Sequence, residues 1–243
     1  MSEIKYKRIL VKLSGEALMG QQAAGIDPQM IDKVAADLIA LARSGVEVGV
    51  VVGGGNLFRG AGLAAAGLDR VTGDHMGMLA TVMNALALQD GLQRQGVAVA
   101  VMSGLAMPQV CDSYSQRDAR RRLADGEIVI FAAGTGSPYF TTDTGASLRA
   151  IEIRADLLIK ATKVDGIYDK DPVKHTDAVR YSDLDFDRAI DQRLAVMDVA
   201  AMILCNDNAL DLVVCDINQP GALLDLARGN SVGTRVTRKE AQK

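Results

Sequence analysis

The sequence predicts an α/β fold with helices packed on a mostly parallel sheet, and three observations lead there. Short apolar runs rich in β-branched residues alternate with longer stretches of helical period. Aromatic residues are only 4% of the 243 residues and Trp is absent, so the core is built from Ala, Val, Leu, Ile and Met. That mix suits helices on buried parallel strands and disfavours an all-β sandwich. Finally, each strand candidate in the first two-thirds of the chain runs into glycines, small polar residues or lysine, as expected where the carboxyl edge of a parallel sheet faces a crevice.

Taken in order, residues 8–13, 46–52, 97–102, 127–132 and 156–161 read as buried strands. Residues 28–43 form the first helix, with Pro28 at its first position and Asp27 as its cap; further helices cover 74–95, 115–124 and 142–154. The strand–helix–strand steps imply right-handed crossovers. Beyond Thr162 the pattern loosens: Gly166, the turn at Asp171 and Pro172 and the polar residues 174–177 suggest a hairpin or loop. Helices near 183–192 and 199–206, a strand at 212–216 and a helix over 220–228 follow, and 235–243 reads as a frayed tail. There is no internal repeat and no low-complexity segment.

Charge and composition exclude several classes. The 27 Lys and Arg against 30 Asp and Glu give a net charge of −3, which speaks against a nucleic-acid partner, since that needs a basic surface to displace counterions. With 49% hydrophobic and 23% charged residues, one large domain or two lobes sharing a sheet is expected. Cys111, Cys205 and Cys215 have no CxxC spacing, and no signal peptide precedes Ile4 to Arg8, so a reduced cytoplasmic setting without disulfides is expected. The uncharged stretch 97–110 is broken by Ser103, Gly104 and Pro108 and falls short of the roughly 18 apolar residues of a membrane span, so a soluble protein with no membrane partner is expected.

The chemistry collects at the strand ends. Strand one leads into Lys12-Leu13-Ser14-Gly15, strand two into Gly53-Gly54-Gly55-Asn56, strand three into Ser103-Gly104, strand four into Gly134-Thr135-Gly136-Ser137 and strand five into Lys160-Ala161-Thr162-Lys163. Any one of these turns could be an ordinary glycine loop, but together they form one long groove where backbone N–H groups and helix N-termini can cradle an anion. No GxxxxGK[ST] is present, and GxGxxG fails because Tyr139 and Phe58 stand at the third positions. Two histidines, His75 and His175, and no paired cysteines give a transition-metal site little material, and none is expected. What remains is Lys12, Arg59 and Lys160 beside Asp74, Asp143, Asp165 and Asp171. Phosphoryl transfer needs this combination, because its transition state spreads charge over phosphoryl oxygens and is stabilised by positioned cations and donors. Asp165 and Asp183 taken singly read as turn or cap formers.

Five motifs in order carry a resemblance: Lys12 to Leu18, Gly53 to Gly60, Gly73 to Thr81, Gly134 to Asp143 and Lys160 to Gly166. Together they resemble the bacterial uridylate (UMP) kinases of the amino acid kinase superfamily, over nearly the whole chain. The resemblance implies a three-layer αβα sandwich, a single domain over 1–243 with an acceptor lobe over about 1–160 and an ATP lobe over about 161–243, and a hexamer. It implies transfer of the ATP γ-phosphoryl group to UMP in pyrimidine nucleotide biosynthesis, with Mg²⁺ carried by ATP. By the same resemblance Lys12 and Lys160 stabilise the moving phosphoryl group and Asp143 orients them. Lys12, Leu13, Ser14, Gly15, Gly55 and Arg59 hold the ATP phosphates, and Thr162, Tyr168 and Asp171 its nucleoside. Gly54 and Arg59 hold the UMP phosphate, Asp74 the ribose, and Thr135, Gly136, Ser137, Pro138, Tyr139, Phe140, Thr141 and Thr142 the uracil and phosphate. GTP activation maps to Gly20, Gln21, Gln22, Ala23, Ala24 and Gly25, where Ala24 replaces an aromatic found in many members, and UTP is implied as an inhibitor competing at the UMP site.

Two other readings keep the scaffold. One is an acyl-phosphate-forming amino acid kinase, against which Asp74 and the 135–142 loop speak; the other is a non-catalytic nucleotide-binding protein, against which Lys12, Lys160 and Asp143 speak. The basic cluster Arg117, Arg120, Arg121 and Arg122 reads as a solvated or subunit-contact face, and Met76, Met78 and Met83 read as core or subunit packing.

Overall fold

The computed structural model describes residues 3–58, 67–194 and 196–239. Arg59 and Gly60 therefore lie outside the described residues. In chain order the elements are β1 (Arg8–Leu13), a 3₁₀ turn (Gly15–Leu18), α1 (Pro28–Arg43), β2 (Glu47–Val52), α2 (Arg70–Arg94), β3 (Val99–Ser103), β4 (Asp112–Ser113), α3 (Gln116–Ala124) and β5 (Ile128–Ala132). They continue with α4 (Thr142–Ile153), β6 (Leu157–Thr162), β7 (Asp183–Asp185), α5 (Phe186–Asp191), α6 (Val199–Asp207), β8 (Leu212–Asp216), α7 (Ala222–Ala227) and β9 (Thr234–Thr237).

The strands form one sheet in the order β4-β3-β5-β2-β1-β6-β8-β9-β7. Neighbours are parallel except for β8 and β9. Alternation along each strand sorts the core into two layers. In β1, Ile9, Val11 and Leu13 pack with Leu38 of α1, Leu88 of α2 and Leu226 of α7. Leu10 faces the other way, into Ala146 and Ala150 of α4, Leu123 of α3 and Met202 of α6. Helices thus cover both faces, and each buried Leu, Ile or Val contributes about 1.5–3 kcal/mol of transfer free energy.

Strand β1 is central, with the chain running outward through β2 on one side and β6 on the other. In such a sheet the crevice beyond the strand carboxyl ends is the place for a ligand. The start of α1 follows its predicted signal, the Asp27 carboxylate accepting from the Gln29 amide at 2.9 Å, and Ser115 and Thr141 cap α3 and α4.

Three stretches differ from the sequence expectation. Thr234–Thr237 is a strand, although 235–243 reads as a tail; its antiparallel ladder on β8 supplies partners that lie twenty or more residues away. Residues 183–185 form β7 before the helix begins at Phe186, because β9 offers them a parallel edge. The two-residue β4 was not predicted and is defined by its pairing with β3. Among the described residues, no helix is long and apolar enough to cross a membrane.

Candidate active site

Strand parity decides which way the two lysines point. Lys12 and Lys160 are register partners on β1 and β6, so their side chains leave the sheet on the same face, the one that Leu10 shares with α4. Two ammonium groups on adjacent strands repel, and the first turn of α4 supplies the counter-charge. Asp143 Oδ1 lies 2.7 Å from Lys12 Nζ and Asp143 Oδ2 lies 2.8 Å from Lys160 Nζ. Lys160 also donates to the Val196 carbonyl. Burial pushes the Asp143 carboxyl up, but the two ammonium groups outweigh it and hold it below the usual carboxylate range. The trio is nearly shut off from solvent, Lys12 being only 8% exposed, and it keeps one net positive charge for an anion.

Beside this clamp lies a cavity of about 300 Å³, at the lower end of the range for small-molecule sites. Three segments wall it: the β2 turn (Gly54, Gly55, Phe58), the start of α2 (Asp69, Arg70, Gly73, Asp74, Gly77, Met78, Thr81), and the β5 turn through the start of α4 (Ala133, Gly134, Thr135, Phe140, Thr141, Thr142). The β2 turn lies directly on α2: a Cβ at Gly54 would sit 2.8 Å from Ala80 Cβ and 2.9 Å from the Gly77 carbonyl, so only glycine fits there. Thr81 Oγ1 accepts from the Ala133 amide at 2.8 Å, and Ala133 and Tyr139 both have positive φ. Non-glycine residues in that region mark backbone held by its surroundings, often at a ligand site. The N-terminus of α4 also opens toward the cavity, its first amides held by Thr141 Oγ1, and contributes a positive dipole end.

Asp74 is held in place. Its carboxylate accepts from the Tyr139 amide at 2.8 Å and pairs with Arg70 at 2.8 Å. Partial burial pushes this carboxyl up, while the Tyr139 amide and the Arg70 guanidinium more than offset that and hold it low. It therefore presents an ionised acceptor at the cavity wall, suited to hydroxyl groups.

Of the residues singled out in the sequence, Lys12, Asp143 and Lys160 meet in the clamp, while Gly54, Gly55, Asp74, Thr135, Phe140, Thr141 and Thr142 meet in the cavity wall. Gly136, Ser137, Pro138 and Tyr139 continue the loop between Thr135 and Phe140 without lining the cavity. Leu13 is buried in the apolar layer, so only its backbone is available at the turn. Ser14 precedes the 3₁₀ turn that begins at Gly15. Thr162 ends β6, two residues past Lys160, with Oγ1 closing a turn onto Val164. Tyr168 and Asp171 sit farther out, in the excursion before β7: the Tyr168 hydroxyl donates to Asp165 at 2.7 Å, and Asp171 caps the Val173 amide at 3.0 Å, which holds its carboxyl low. No three His, Cys, Asp or Glu side chains converge as a metal cage among the described residues.

Several contributors escaped sequence reasoning. Asp198 caps α6 and accepts from the hydroxyls of Thr141 and Thr144, locking the α4 and α6 N-termini together; its position just before a helix was the signal. Arg70 and Asp69 line the cavity one turn upstream of the predicted helix start. The arginine-rich α3 is largely neutralised within the chain, Arg121 by Asp118 and Asp125, Arg122 by Asp112, Asp118 and Glu127.

Residues 7–216 match the family model described as the amino acid kinase family. The chain is 59% identical over 236 residues to the uridylate kinase of Xanthomonas axonopodis pv. citri, covering 97% of this chain and 98% of that one. It is 58% identical to the uridylate kinase of Methylococcus capsulatus, covering 96% and 98%. Among solved structures, UMP kinase from Bacillus anthracis superposes with a TM-score of 0.93 at 35% identity, covering 98% of both chains.

Proposed function

The chain belongs to the amino acid kinase family, and we propose that within it this protein is a UMP kinase, transferring the γ-phosphoryl group of ATP to UMP to give ADP and UDP. The observation that carries the reading is the clamp: two buried ammonium groups on neighbouring strands, held by one carboxylate at 2.7 and 2.8 Å, beside a cavity of nucleotide size. An oxygen of the acceptor phosphate forms the new bond to the γ-phosphorus as the bond to the β-phosphate oxygen breaks. Lys12 and Lys160 stabilise the charge on the transferring group, and Asp143 fixes their positions without touching the phosphates.

We assign the cavity to UMP. Gly54, the α4 N-terminus and Arg59 take its phosphate, Asp74 its ribose hydroxyls, and the 135–142 loop its uracil. Lys12 to Gly15, Gly55 and Arg59 take the ATP phosphates, and Thr162, Tyr168 and Asp171 its nucleoside. This divides the continuous sheet into an acceptor lobe over about residues 1–160 and an ATP lobe over about 161–243. Mg²⁺ is assigned to the nucleotide: the donor set around the clamp is cationic, and Mg²⁺ is ordinarily carried by substrate phosphates and water.

Self-association is supported by Met76, Leu79 and Met83, which lie exposed along one side of α2 at helical spacing, and the hexamer is carried over from the resemblance. UTP fits as an inhibitor because it carries the same uracil nucleoside as UMP. GTP activation is assigned to residues 20–25, an exposed loop whose end is hydrogen-bonded to the β2 turn. A cytoplasmic location agrees with three free cysteines.

A coupled assay for ADP, with Mg-ATP and a panel of UMP, CMP, AMP, aspartate and N-acetylglutamate, tests the function. UMP-dependent turnover is expected to exceed every other acceptor. Turnover with a carboxylate acceptor and none with UMP would contradict the reading.

A further inference from the structure

Below the β2 turn, two amide side chains meet in the core. Asn84 of α2 is fully buried and Asn56 is 2% exposed. Asn84 Nδ2 donates to Asn56 Oδ1 at 2.7 Å, and Asn56 Nδ2 donates back to Asn84 Oδ1 at 3.0 Å. The second hydrogen of each amide goes to a backbone carbonyl: from Asn84 to Gly53 at 2.7 Å, and from Asn56 to Gly25 at 2.8 Å. The Asn56 carbonyl in turn accepts from the Gly25 amide at 2.9 Å. Every donor hydrogen of the pair is used, and an apolar pair of similar volume would leave the Gly53 and Gly25 carbonyls without these donors. What the amides add is a fixed geometry between three segments distant in the chain.

We propose that Asn56 and Asn84 form a positioning pair that sets the Gly53–Gly55 turn for the acceptor phosphate and ties the 20–25 loop to it. The proposal rests on the reading of that turn as part of the UMP site. Gly53 is the first residue past β2, so a shift of its carbonyl moves the Gly54 and Gly55 amides that follow. The pair also seats the β1 turn, since a Cβ at Gly15 would lie 2.4 Å from Asn56 Oδ1 and 2.6 Å from the Gly53 carbonyl. Turns of β1 and β2 and the 20–25 loop are thus referred to one buried pair, Asn56 in the β2 turn and Asn84 on α2. Neither side chain touches substrate; both act through backbone.

The test uses Asn84→Asp, which keeps the shape but replaces the donor to Gly53 by a carboxylate oxygen, and Asn84→Ala as a second variant should the first not fold. Steady-state kinetics with Mg-ATP and UMP are measured beside hydrogen exchange of peptides covering residues 20–27 and 53–58. The KM for UMP is expected to rise roughly tenfold, about what one lost hydrogen bond corresponds to, and the KM for ATP to rise with it, because Gly15 and Gly55 are set by the same pair. Exchange is expected to quicken in both peptides and to hold in α6. A folded variant with an unchanged KM for UMP, or one in which exchange quickens as much in α6 as in the two peptides, would overturn the positioning role; unchanged exchange in either peptide would overturn the tie. Wild-type protein that fails to phosphorylate UMP would sink the functional reading instead, and the pair would then be judged on exchange alone.

Discussion

At the scale of single residues the account turns on Asp143, which neutralises two cations at once. Removing Lys12 takes away one transition-state donor, so Lys12→Ala is expected to lower kcat by about 10²–10³ while leaving the thermal midpoint close to wild type, as stopped-flow or coupled assays and calorimetry will report. Asp143→Asn leaves two ammonium groups facing each other across β1 and β6. It should lower both kcat and stability. The pH dependence has a definite sign: a carboxyl held below its unfolded value contributes stability that is fully present above the unfolded pKa of about 4 and is lost as pH falls through the folded value. Wild type should therefore lose a stabilising contribution below about pH 4 that Asp143→Asn never has, in denaturant titrations at each pH. An identical pH profile in the two proteins would mean that the ion pairs at 2.7 and 2.8 Å contribute nothing to folding. The two lysines were legible in sequence because they lie near strand ends, whereas the part played by Asp143 came from the resemblance. Asn84 and Asp198 were not legible, because their partners lie 28 or more residues away and only the fold brings them close.

Among elements, α4 carries most of the site. Its cap Thr141 accepts from the Asp143 amide at 3.0 Å and the Thr144 amide at 3.2 Å, and its hydroxyl proton goes to Asp198. Thr141→Ala should cost about 1–2 kcal/mol by urea unfolding and raise the KM for UMP; a change in neither would detach the cap from both roles. At the far side of the sheet, Gly233 opens β9 with a positive φ, and a Cβ there would lie 2.0 Å from the Val214 carbonyl. Gly233→Ala should destabilise by more than about 1 kcal/mol, and full stability in the variant would place β9 elsewhere. The contrast between these two elements explains how far sequence reading reached. Helix α4 announces itself through a cap, a first-turn acid and a helical period. Strand β9 has no such local signal, only a partner, and its residues read as a tail.

For the molecule as a whole, the sheet places the cavity on the β2 and β5 side of the Lys12 and Lys160 pair, and the ATP site proposed above lies toward β6. The exposed apolar side of α2 predicts that Leu79→Glu shifts the protein to a smaller assembly, measured by size-exclusion chromatography with light scattering; an unchanged mass would remove α2 from the interface. The fold class was legible because alternation and strand-end glycines are spread over the whole chain, whereas the exposed apolar side of α2 shows only once burial is known: Met78 is core and Met76 and Met83 are not. The most direct check is a crystal structure with UMP and a non-hydrolysable ATP analogue. It should show Lys12 Nζ and Lys160 Nζ both within about 3 Å of phosphoryl oxygens, the usual reach of a charged hydrogen bond, with UMP in the cavity beside Asp74. A triphosphate bound away from both lysines, with the two still closed on Asp143, would contradict the account.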